Sequence, residues 1–307
     1  MKKIAVILIN YNASSYTIDC IKSIREKTAA TLNYEIVVVD NNSANDDLNA
    51  VESFIKQENQ TNLRLIKSKI NTGFGGGNMM GAQFVNAEYL AFVNNDSVFI
   101  NDCLSLLVNA MENNNSYGIC GPKAYKEDGS VLPTLDHFAS PLKEFFGRTF
   151  LEKINPKKYV NRKKDFNHHQ YGQFVAGSFM VVRSSEFWTV GGFDTNIFLY
   201  YEETDLCKRL LNKTGKKAYL IPEAKFIHYH GASTPKSIAI KTELKLSFLY
   251  NIRKHYGYFW FLVILNKLRL QYLIKSVINF KNFYTFKILL KGAHISDSLK
   301  LKNIHAN

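Results

Sequence analysis

Short apolar runs alternate with amphipathic segments of helical period through the first half of the chain, and this alternation constrains the fold most strongly. The pattern predicts strands over residues 4–9, 35–39, 63–67 and 89–93. It predicts helices between them, over residues 14–28, 46–58, 77–87 and 101–113. Because continuous apolar strands separated by helices are typical of a parallel sheet covered on both faces, we expect an α/β fold with a mostly parallel, Rossmann-like sheet.

The length and composition are those of a folded globular protein. The chain has 307 residues, of which 46% are apolar and 21% are charged. These values exclude a disordered, collagenous or low-complexity protein, and the chain is long enough to bury a core without disulfides. The four cysteines are scattered, form no zinc or redox pair, and are predicted to be reduced, mostly buried thiols of a cytoplasmic protein.

The net charge of +13 is concentrated near the end of the chain. From residue 241 onward, twelve lysines and arginines face two acidic residues, which gives +10, whereas the first 240 residues carry +3. Bulky apolar residues such as Trp260 and Phe261 lie among the basic ones, a pattern that favours an anionic lipid surface over nucleic acid. The apolar stretch 258–265 is too short to cross a bilayer, and the run 4–9 is too short for a secretory signal.

Polar side chains follow three of the predicted strands at the point where each strand ends. Asn10 follows the first strand, Asp40 the second, and Asn94, Asn95 and Asp96 the fourth. Ligands bind beyond the carboxyl ends of the strands in such sheets, so we expect these side chains on one rim. A single aspartate there can simply cap the next helix, but two favour a nucleotide with a divalent ion, since Mg²⁺ and Mn²⁺ prefer carboxylate oxygens.

A glycine-rich loop over residues 71–78 leads into the third predicted helix. It begins with Asn71, contains Gly73 and ends with Asn78. Clustered glycines let the backbone approach a ligand, and a helix N-terminus favours an anion. The loop matches neither the dinucleotide-binding fingerprint nor the Walker motif, so on its own it is a weak signal.

A carboxylate cluster and two histidines are the remaining candidates for chemistry. Glu202, Glu203 and Asp205 open a predicted helix, where they either complement the helix dipole or include a general base of raised pKa. His228 and His230 follow a strand-like segment and are either structural residues or metal ligands.

Taken in this order, the segments resemble the family 2 glycosyltransferases, in particular their rhamnosyltransferase-like branch. The resemblance covers roughly residues 1–250, and the matching segments are residues 6–12, 37–43, 71–78, 93–96, 191–194, 198–209 and 228–233, with Gly177. It implies a GT-A-type fold and inverting transfer of a sugar from a nucleoside diphosphate donor. The acceptor would be a hydroxyl of a glycan or lipid-linked glycan in cell-surface polysaccharide synthesis. The resemblance suggests dTDP-rhamnose as donor and leaves UDP- and GDP-sugars open.

The resemblance also implies roles for individual residues. Asp40 would contact the base or ribose of the donor, together with the other donor-binding positions, Asn10, Asn71, Gly73, Asn78, Asn94 and Asn95. Asp96 matches the last residue of the family's DXD metal motif, and His228 a further ligand of Mg²⁺ or Mn²⁺. Glu203 matches the catalytic base, and its neighbour Glu202 is the alternative.

Two positions depart from the family pattern. Asn94 stands where the DXD motif begins with aspartate, so this chain supplies one carboxylate fewer to a metal ion. The base is a glutamate where the family usually has an aspartate, which is one methylene shorter.

The sequence is divided into a GT-A-type transferase domain, residues 1–240, and a basic, aromatic helical tail, residues 241–307. We expect the tail to hold the protein peripherally on the inner face of the cell membrane, where a polyprenyl-diphosphate-linked acceptor would be reached. Residues 134–170 form either a solvated loop or a flap that contacts the acceptor.

Two other functions remain alternatives at this point. A non-catalytic nucleotide-sugar-binding scaffold is favoured by Asn94. A sugar nucleotidyltransferase is less favoured, because residues 10–12 read Asn-Tyr-Asn where that class is expected to carry a glycine-rich loop with a basic residue.

Overall fold

The computed structural model describes residues 1–229 and 237–301 of the chain. The strands are β1 (Lys2–Asn10), β2 (Tyr34–Asp40), β3 (Leu63–Lys67), β4 (Ala87–Asn94), β5 (Ser97–Phe99), β6 (Tyr117–Tyr125), β7 (Val131–Leu132), β8 (Leu135–Asp136), β9 (Gln170–Gly172), β10 (Phe174–Val175), β11 (Phe179–Arg183) and β12 (Lys217–His228). The helices are α1 (Ser14–Lys27), α2 (Asn45–Glu58), α3 (Gly73–Gln83), α4 (Cys103–Glu112), α5 (Pro141–Phe146), α6 (Arg148–Ile154), α7 (Ser184–Thr189), α8 (Glu202–Thr214), α9 (Ile238–Ile278) and α10 (Phe283–Leu290).

Most of the strands belong to one mixed sheet that begins with four parallel strands. The strand order is β3-β2-β1-β4-β11-β6-β12-β5, and β1 pairs in parallel with both β2 and β4. Strand β11 is inserted antiparallel between β4 and β6, and β12 runs parallel to β6. The predicted α/β fold is confirmed. Its sheet is mixed, because β11 and β5 run antiparallel to their neighbours, whereas β1 to β4 are parallel as expected. The carboxyl ends of β1, β2 and β4 therefore meet at one rim.

The alternation of side chains along β1 explains why helices cover both faces of the sheet. Ile4, Val6 and Leu8 pack on the face covered by α1, α2 and α4, whereas Ala5 and Ile7 pack on the face covered by α3, α7 and α8. All five are fully buried. Burying one valine, leucine or isoleucine contributes about 1.5–3 kcal/mol, so a slip of register by one residue is strongly disfavoured.

The second half of the sheet is less regular than the first. The apolar stretch 174–182 is divided into β10 and β11, and the apolar segments 218–221 and 225–228 both belong to β12. The pairing of β12 with β6 shifts between Ile221 and Lys225, where Pro222 has no N–H to donate to the ladder. Residues 134–170, predicted to be irregular, include β8, α5 and α6.

Helix α9 changes its surroundings at Gly257, which interrupts the helix with φ 85° and ψ 175°. Only glycine adopts such angles without strain. Before Gly257 the helix packs on the body, and Leu249 and Ile252 are fully buried. Beyond it, apolar side chains such as Phe259 (70% exposed) face outward. The predicted C-terminal helical extension is confirmed, and no helix of the described residues is long and apolar enough to cross a membrane.

The four cysteines, as predicted, are free and buried. Burial raises the pKa of each of these thiols above its ordinary value. They are therefore protonated and unreactive at neutral pH.

Candidate active site

The side chains of Asn10 and Asp40 join the ends of β1 and β2. The amide of Asn10 donates to Oδ1 of Asp40 (2.9 Å) and to Oδ2 of Asp47 (2.7 Å), and its own oxygen accepts from the hydroxyl of Thr17 (2.7 Å). Asp40 also accepts the backbone N–H of Ser43 (3.0 Å). Asn10 and Asp40 are both buried, so Asn10 supports Asp40 at the rim. Their donor-binding roles stay predictions.

Asn41, which the sequence analysis did not single out, fixes the glycine-rich loop to this rim. Its amide donates to Oδ1 of Asn71 (3.1 Å) and to the carbonyl of Gly73 (3.1 Å). Further along α3, the buried Asn78 donates to the carbonyl of Phe74 (3.1 Å). The side-chain oxygen of Asn78 has no hydrogen-bond partner in the described part of the chain.

The conformation at Gly73 brings this loop against the segment that precedes α8. Gly73 has a φ of +76°, and a Cβ atom there would lie 2.0 Å from the carbonyl oxygen of Phe198. The same carbonyl accepts the N–H of Phe74 (3.0 Å). No side chain can therefore replace the hydrogen atom of Gly73 unless the two backbone segments move apart.

We expect Gly73→Ala to lower the free energy of unfolding by more than the cost of left-handed backbone alone, because the added Cβ would also collide with the carbonyl of Phe198. The matched control is Gly129→Ala, because Gly129 has a φ of +78° and nothing within 4 Å of a built Cβ. The control should lose about 1–2 kcal/mol of unfolding free energy, the ordinary cost of left-handed backbone. Urea unfolding measures both variants, and equal losses would contradict the close approach to Phe198.

A cavity of about 380 Å³ opens beyond the ends of β1 and β4. Its wall contains four of the predicted donor-binding residues, Asn71, Gly73, Asn94 and Asn95. Aromatic residues and the start of α9 complete it, with Tyr11, Phe74, Phe198, Ser237 and Ile240 among them. A few amides among apolar and aromatic groups are typical of a small-molecule site, and this volume lies within the usual range.

Asp96 and His228 lie side by side although they are far apart in the sequence. Strand β12 pairs with β5, which brings His228 opposite Ser97. Oδ1 of Asp96 is 3.1 Å from Nε2 of His228, and this buried oxygen makes no hydrogen bond within the described residues. Two ligands at about 2.1 Å from one ion are about 3 Å apart, so the pair fits a divalent metal.

The remaining ligands of such an ion would come from outside this pair. The described residues hold no group of three or more histidine, cysteine or acidic side chains arranged for a metal. Asn94, in place of the first aspartate of the motif, has its amide nitrogen 3.5 Å from Nε2 of His228. Mg²⁺ is often held by one or two protein ligands together with water and substrate phosphates, which this arrangement allows. His230 lies outside the described residues.

Two consecutive tyrosines form a strained turn before α8. Tyr200 and Tyr201 have φ values of 72° and 73°. Left-handed backbone at residues other than glycine costs on the order of 1–3 kcal/mol each, and such strain is concentrated at functional sites. The turn orients the first residues of α8.

The two glutamates that open α8 have different surroundings. Glu202 is 2% exposed and packs against Gly75, and burial together with the charge of Glu203 raises the pKa of Glu202 well above its ordinary value. Glu203 is half-buried and lies against Gly177. Burial raises the pKa of Glu203 to about 7, and the negative charge of Asp136 acts in the same direction. Of the two, Glu203 therefore has the accessibility and the pKa of a general base at neutral pH.

Glu203 is a close neighbour of the cavity wall. A Cβ atom on Gly177 would lie 3.8 Å from Cβ of Glu203 and 3.5 Å from the ring of Phe74. The next residue, Ser178, accepts the backbone N–H of Asn94 (2.8 Å). Because Gly177 has no side chain, it does not fill the space between Glu203 and the cavity.

The third carboxylate of the predicted cluster, Asp205, has a structural position. It is fully buried and bound by Arg209 (2.7 Å), Lys254 (2.7 Å) and His255 (2.8 Å). Lys254 also binds Asp194 (2.7 Å) of the Gly-Gly-Phe-Asp segment. These ion pairs join α8 and the preceding loop to α9.

Sequence comparisons agree with the resemblance described above. A sequence model of the family described as glycosyl transferase family 2 matches residues 5–185, which is more than half of the chain. The chain is 29% identical over 191 residues to rhamnosyltransferase WbbL of Escherichia coli K12, covering 59% of this chain and 71% of the relative. It is 26% identical over 215 residues to N-acetylglucosaminyl-diphospho-decaprenol L-rhamnosyltransferase of Mycobacterium tuberculosis H37Rv. This match covers 64% of this chain and 69% of the relative.

Solved structures share the fold at low sequence identity. Mannosyltransferase PcManGT of Pyrobaculum calidifontis, solved with GDP-Man and Mn²⁺, has a TM-score of 0.57 at 13% identity and covers 96% of this chain and 87% of that one. GalNAc-T7, solved with UDP, GalNAc and Mn²⁺, has a TM-score of 0.60 at 13% identity. It matches 82% of this chain, which spans about half (48%) of its length. The GT-A fold implied by the resemblance is confirmed.

Proposed function

The chain belongs to glycosyl transferase family 2, and we propose that it transfers a sugar, with inversion, from a nucleoside diphosphate donor to a hydroxyl of a glycan or lipid-linked glycan. The observation that carries this proposal is Glu203, a half-buried carboxylate with a pKa of about 7, which lies near a cavity lined by amides and aromatic groups at the carboxyl ends of the strands. The names of two relatives favour a rhamnosyl donor such as dTDP-rhamnose, and one of those names contains a diphospho-decaprenol acceptor.

The donor would occupy the cavity at the rim of the sheet. Asp40 would contact the base or ribose, and the amides of Asn71, Asn94 and Asn95 would bind polar groups of the nucleotide and sugar. Asp96 and His228 would hold a divalent ion, Mg²⁺ or Mn²⁺. When bound, such an ion neutralises the charge that develops on the departing diphosphate.

Glu203 would act as the general base. Its carboxylate takes the proton from the acceptor hydroxyl as the hydroxyl oxygen forms a bond to the anomeric carbon of the donor sugar. The bond between that carbon and the phosphate oxygen breaks, so the nucleoside diphosphate leaves with the bonding electron pair. Attack on the face opposite the leaving group inverts the anomeric configuration.

The pKa of Glu203 gives the proposal a definite pH dependence. Because the base must be deprotonated and its pKa is about 7, we expect kcat/KM to rise about tenfold per pH unit below pH 7 and to level off above it. A pH series from 5 to 9 under a constant ionic strength measures this profile. A rate that falls as pH rises through 7 would exclude Glu203 as the base.

The basic tail would attach the protein to an anionic membrane. We propose that residues 1–240 form the transferase domain and that, within the tail over residues 241–307, the part beyond Gly257 faces the bilayer, because its exposed residues combine aromatic and basic groups. Each lysine or arginine near an anionic surface contributes about 1 kcal/mol, so a fraction of the +10 charge is enough for stable binding. The protein would then act at the inner face of the cell membrane.

A single exposed side chain tests this attachment. Phe259→Ser should weaken binding to phosphatidylglycerol vesicles by about tenfold or more, since burying one phenylalanine contributes about 1.5–3 kcal/mol. Phe84→Ser is the matched control, because Phe84 is 57% exposed but lies at the end of α3. Vesicle flotation measures both variants. Equal retention of wild type and Phe259→Ser would contradict the assignment.

A non-catalytic nucleotide-sugar-binding scaffold is the second candidate. It is favoured by Asn94, which reduces the number of carboxylates near the metal pair. A screen of dTDP-, UDP- and GDP-sugars with Mn²⁺, scored by released nucleoside diphosphate, distinguishes the two functions. Release from one donor supports the transferase. Binding of a donor without any hydrolysis or transfer supports the scaffold.

A further inference from the structure

Three cationic side chains surround one carboxylate in the segment between β7 and β9. Asp136 of β8 is 3.1 Å from Nζ of Lys143, 2.8 Å from Nη2 of Arg148 and 2.6 Å from Nη1 of Arg162. Although burial opposes it, these cations hold the pKa of Asp136 below its ordinary value, so the group is ionised. The four residues, named here the Asp136 cluster, carry a formal charge of +2.

The surplus charge leaves this cluster able to bind a second anion. The side chains of Lys143, Arg148 and Arg162 are 23%, 34% and 30% exposed, so solvent reaches each of them. Nε of Arg162 is itself buried and makes no hydrogen bond within the described part of the chain, so the donors that solvent reaches are elsewhere on these three side chains. Arginine presents a planar fork of donors that matches phosphate oxygens, and charge-assisted hydrogen bonds of this kind are strong.

The cluster is adjacent to Glu203. Asp136 raises the pKa of Glu203 and Lys143 lowers it, so both charges act on that carboxylate. The strained Tyr201 lies close to the same groups, because the charges of Glu203, Asp136 and Arg148 all affect its hydroxyl. Glu203 therefore lies near the wall of the donor cavity, next to Gly177, and within electrostatic range of the Asp136 cluster.

An exposed apolar surface adjoins the cluster. Helices α5 and α6 expose between 46% and 64% of five large apolar side chains, Leu142, Phe145, Phe146, Phe150 and Ile154. The ring of Phe145 lies 6.4 Å from that of Trp260, and Nζ of Lys267 lies 2.9 Å from Glu144. The short helices thus continue the exposed surface of α9 beyond Gly257.

We propose that the Asp136 cluster binds the phosphate groups of a lipid-linked acceptor, a reading that rests on the proposed transferase function. The acceptor's hydroxyl would reach Glu203, its diphosphate would bind Arg148, Arg162 and Lys143, and its hydrocarbon chain would leave along α5 and α6. Free phosphate or a nucleic acid has no hydrocarbon chain to cover the adjoining apolar surface. A polyprenyl diphosphate has both a diphosphate for the cations and a hydrocarbon chain for the apolar side chains.

The test measures binding of farnesyl diphosphate in detergent by titration calorimetry. The donor cavity is first filled with whichever of dTDP, UDP or GDP the wild type binds best, so that the probe does not enter it. Arg148→Gln and Arg162→Gln should each weaken farnesyl diphosphate binding by about tenfold. The control Lys163→Gln removes an exposed cation of the same segment from outside the cluster and should change binding less than twofold. Wild type should bind inorganic pyrophosphate more weakly than farnesyl diphosphate, and farnesol more weakly still.

Three results would overturn the proposal. The first is unchanged farnesyl diphosphate binding in both arginine variants, with thermal unfolding showing that they are folded. The second is loss of farnesyl diphosphate binding in Lys163→Gln equal to that in the arginine variants. The third is a loss of phosphatidylglycerol vesicle binding in Arg148→Gln without any loss for farnesyl diphosphate, which would assign the cluster to phospholipid headgroups.

Failure of this proposal is distinguishable from failure of the transferase function. Donor hydrolysis by the wild type in the absence of an acceptor tests the transferase function without using the arginine variants. If the wild type releases nucleoside diphosphate while farnesyl diphosphate binding is unaltered in both arginine variants, the acceptor subsite is wrong and the transferase stands. If the wild type hydrolyses no donor, the proposed transferase function is wrong. The farnesyl diphosphate titration still tests whether the Asp136 cluster binds a prenyl diphosphate.

Discussion

Glu203→Gln lowers kcat by about 10²–10⁴-fold and leaves the affinity for the donor nucleotide within twofold. The amide has the shape of the acid but accepts no proton at neutral pH, so only the step that removes the acceptor's proton is lost. Single-turnover transfer at saturating donor measures the rate, and titration with the nucleoside diphosphate measures the affinity. Transfer at the wild-type rate would contradict the role of Glu203.

Glu202→Gln is the control that separates the two neighbouring glutamates. Glu202 is buried and its pKa is raised well above the ordinary value, which favours its protonated form. Glutamine imitates that protonated form, and we expect Glu202→Gln to keep kcat within about threefold. If Glu202→Gln instead removes transfer and Glu203→Gln does not, Glu202 is the base.

Asp205→Asn should lower the free energy of unfolding by roughly 3–5 kcal/mol, the usual effect of removing one partner from a buried ion-pair network. Asparagine removes the negative charge that Arg209 and Lys254 share, although Lys254 keeps its ion pair with Asp194, and it weakens the contacts of this fully buried side chain with its three partners, Arg209, Lys254 and His255. Because two of them belong to α9, the contact of α9 with α8 is the part that should open first. Urea unfolding and amide hydrogen exchange in α9 measure these effects.

The same network predicts how stability changes in acid. Burial opposes ionisation, but His255, Arg209 and Lys254 lower the pKa of Asp205 to about 2. The group therefore stabilises the fold above about pH 4, its unfolded pKa, and this contribution is lost as the pH falls from about 4 to 2. Asp19→Asn, which changes an exposed aspartate of α1, should leave stability within about 0.5 kcal/mol. An equally small loss for Asp205→Asn would contradict the network.

The sequence was sufficient to predict the first half of the fold and the rim of the site. Strands β1 to β4 are continuous apolar runs, so their period and the intervening helices are visible locally. Once the strands are known to be parallel, Asp40 and Asp96 follow from the rule that strand ends meet at one edge. The contact between Asp96 and His228 additionally required the pairing of β12 with β5, which no local pattern predicts.

The features that sequence reasoning missed depend on contacts between distant segments. In the sequence, Asp205 is one more acidic residue in the first turn of a helix, like the two glutamates before it. Its structural role is visible only in the fold, where α9 brings Lys254 and His255 to it. Asp136 lies in a segment whose sequence is polar and shows no regular period. Arg162 belongs to the same segment, and only the folded chain brings it to Asp136. In both cases the charges were countable in the sequence, but their pairing was set by packing.

A structure with the donor's nucleoside diphosphate and Mn²⁺ bound would examine the arrangement on which all of these expectations depend. We predict that the diphosphate lies against Asn94 with the ion held by Asp96 and His228, and that the carboxylate of Glu203 faces the side from which an acceptor hydroxyl attacks. A nucleotide bound elsewhere on the chain, or a diphosphate in this cavity with Glu203 out of reach of the sugar's anomeric carbon, would contradict the account.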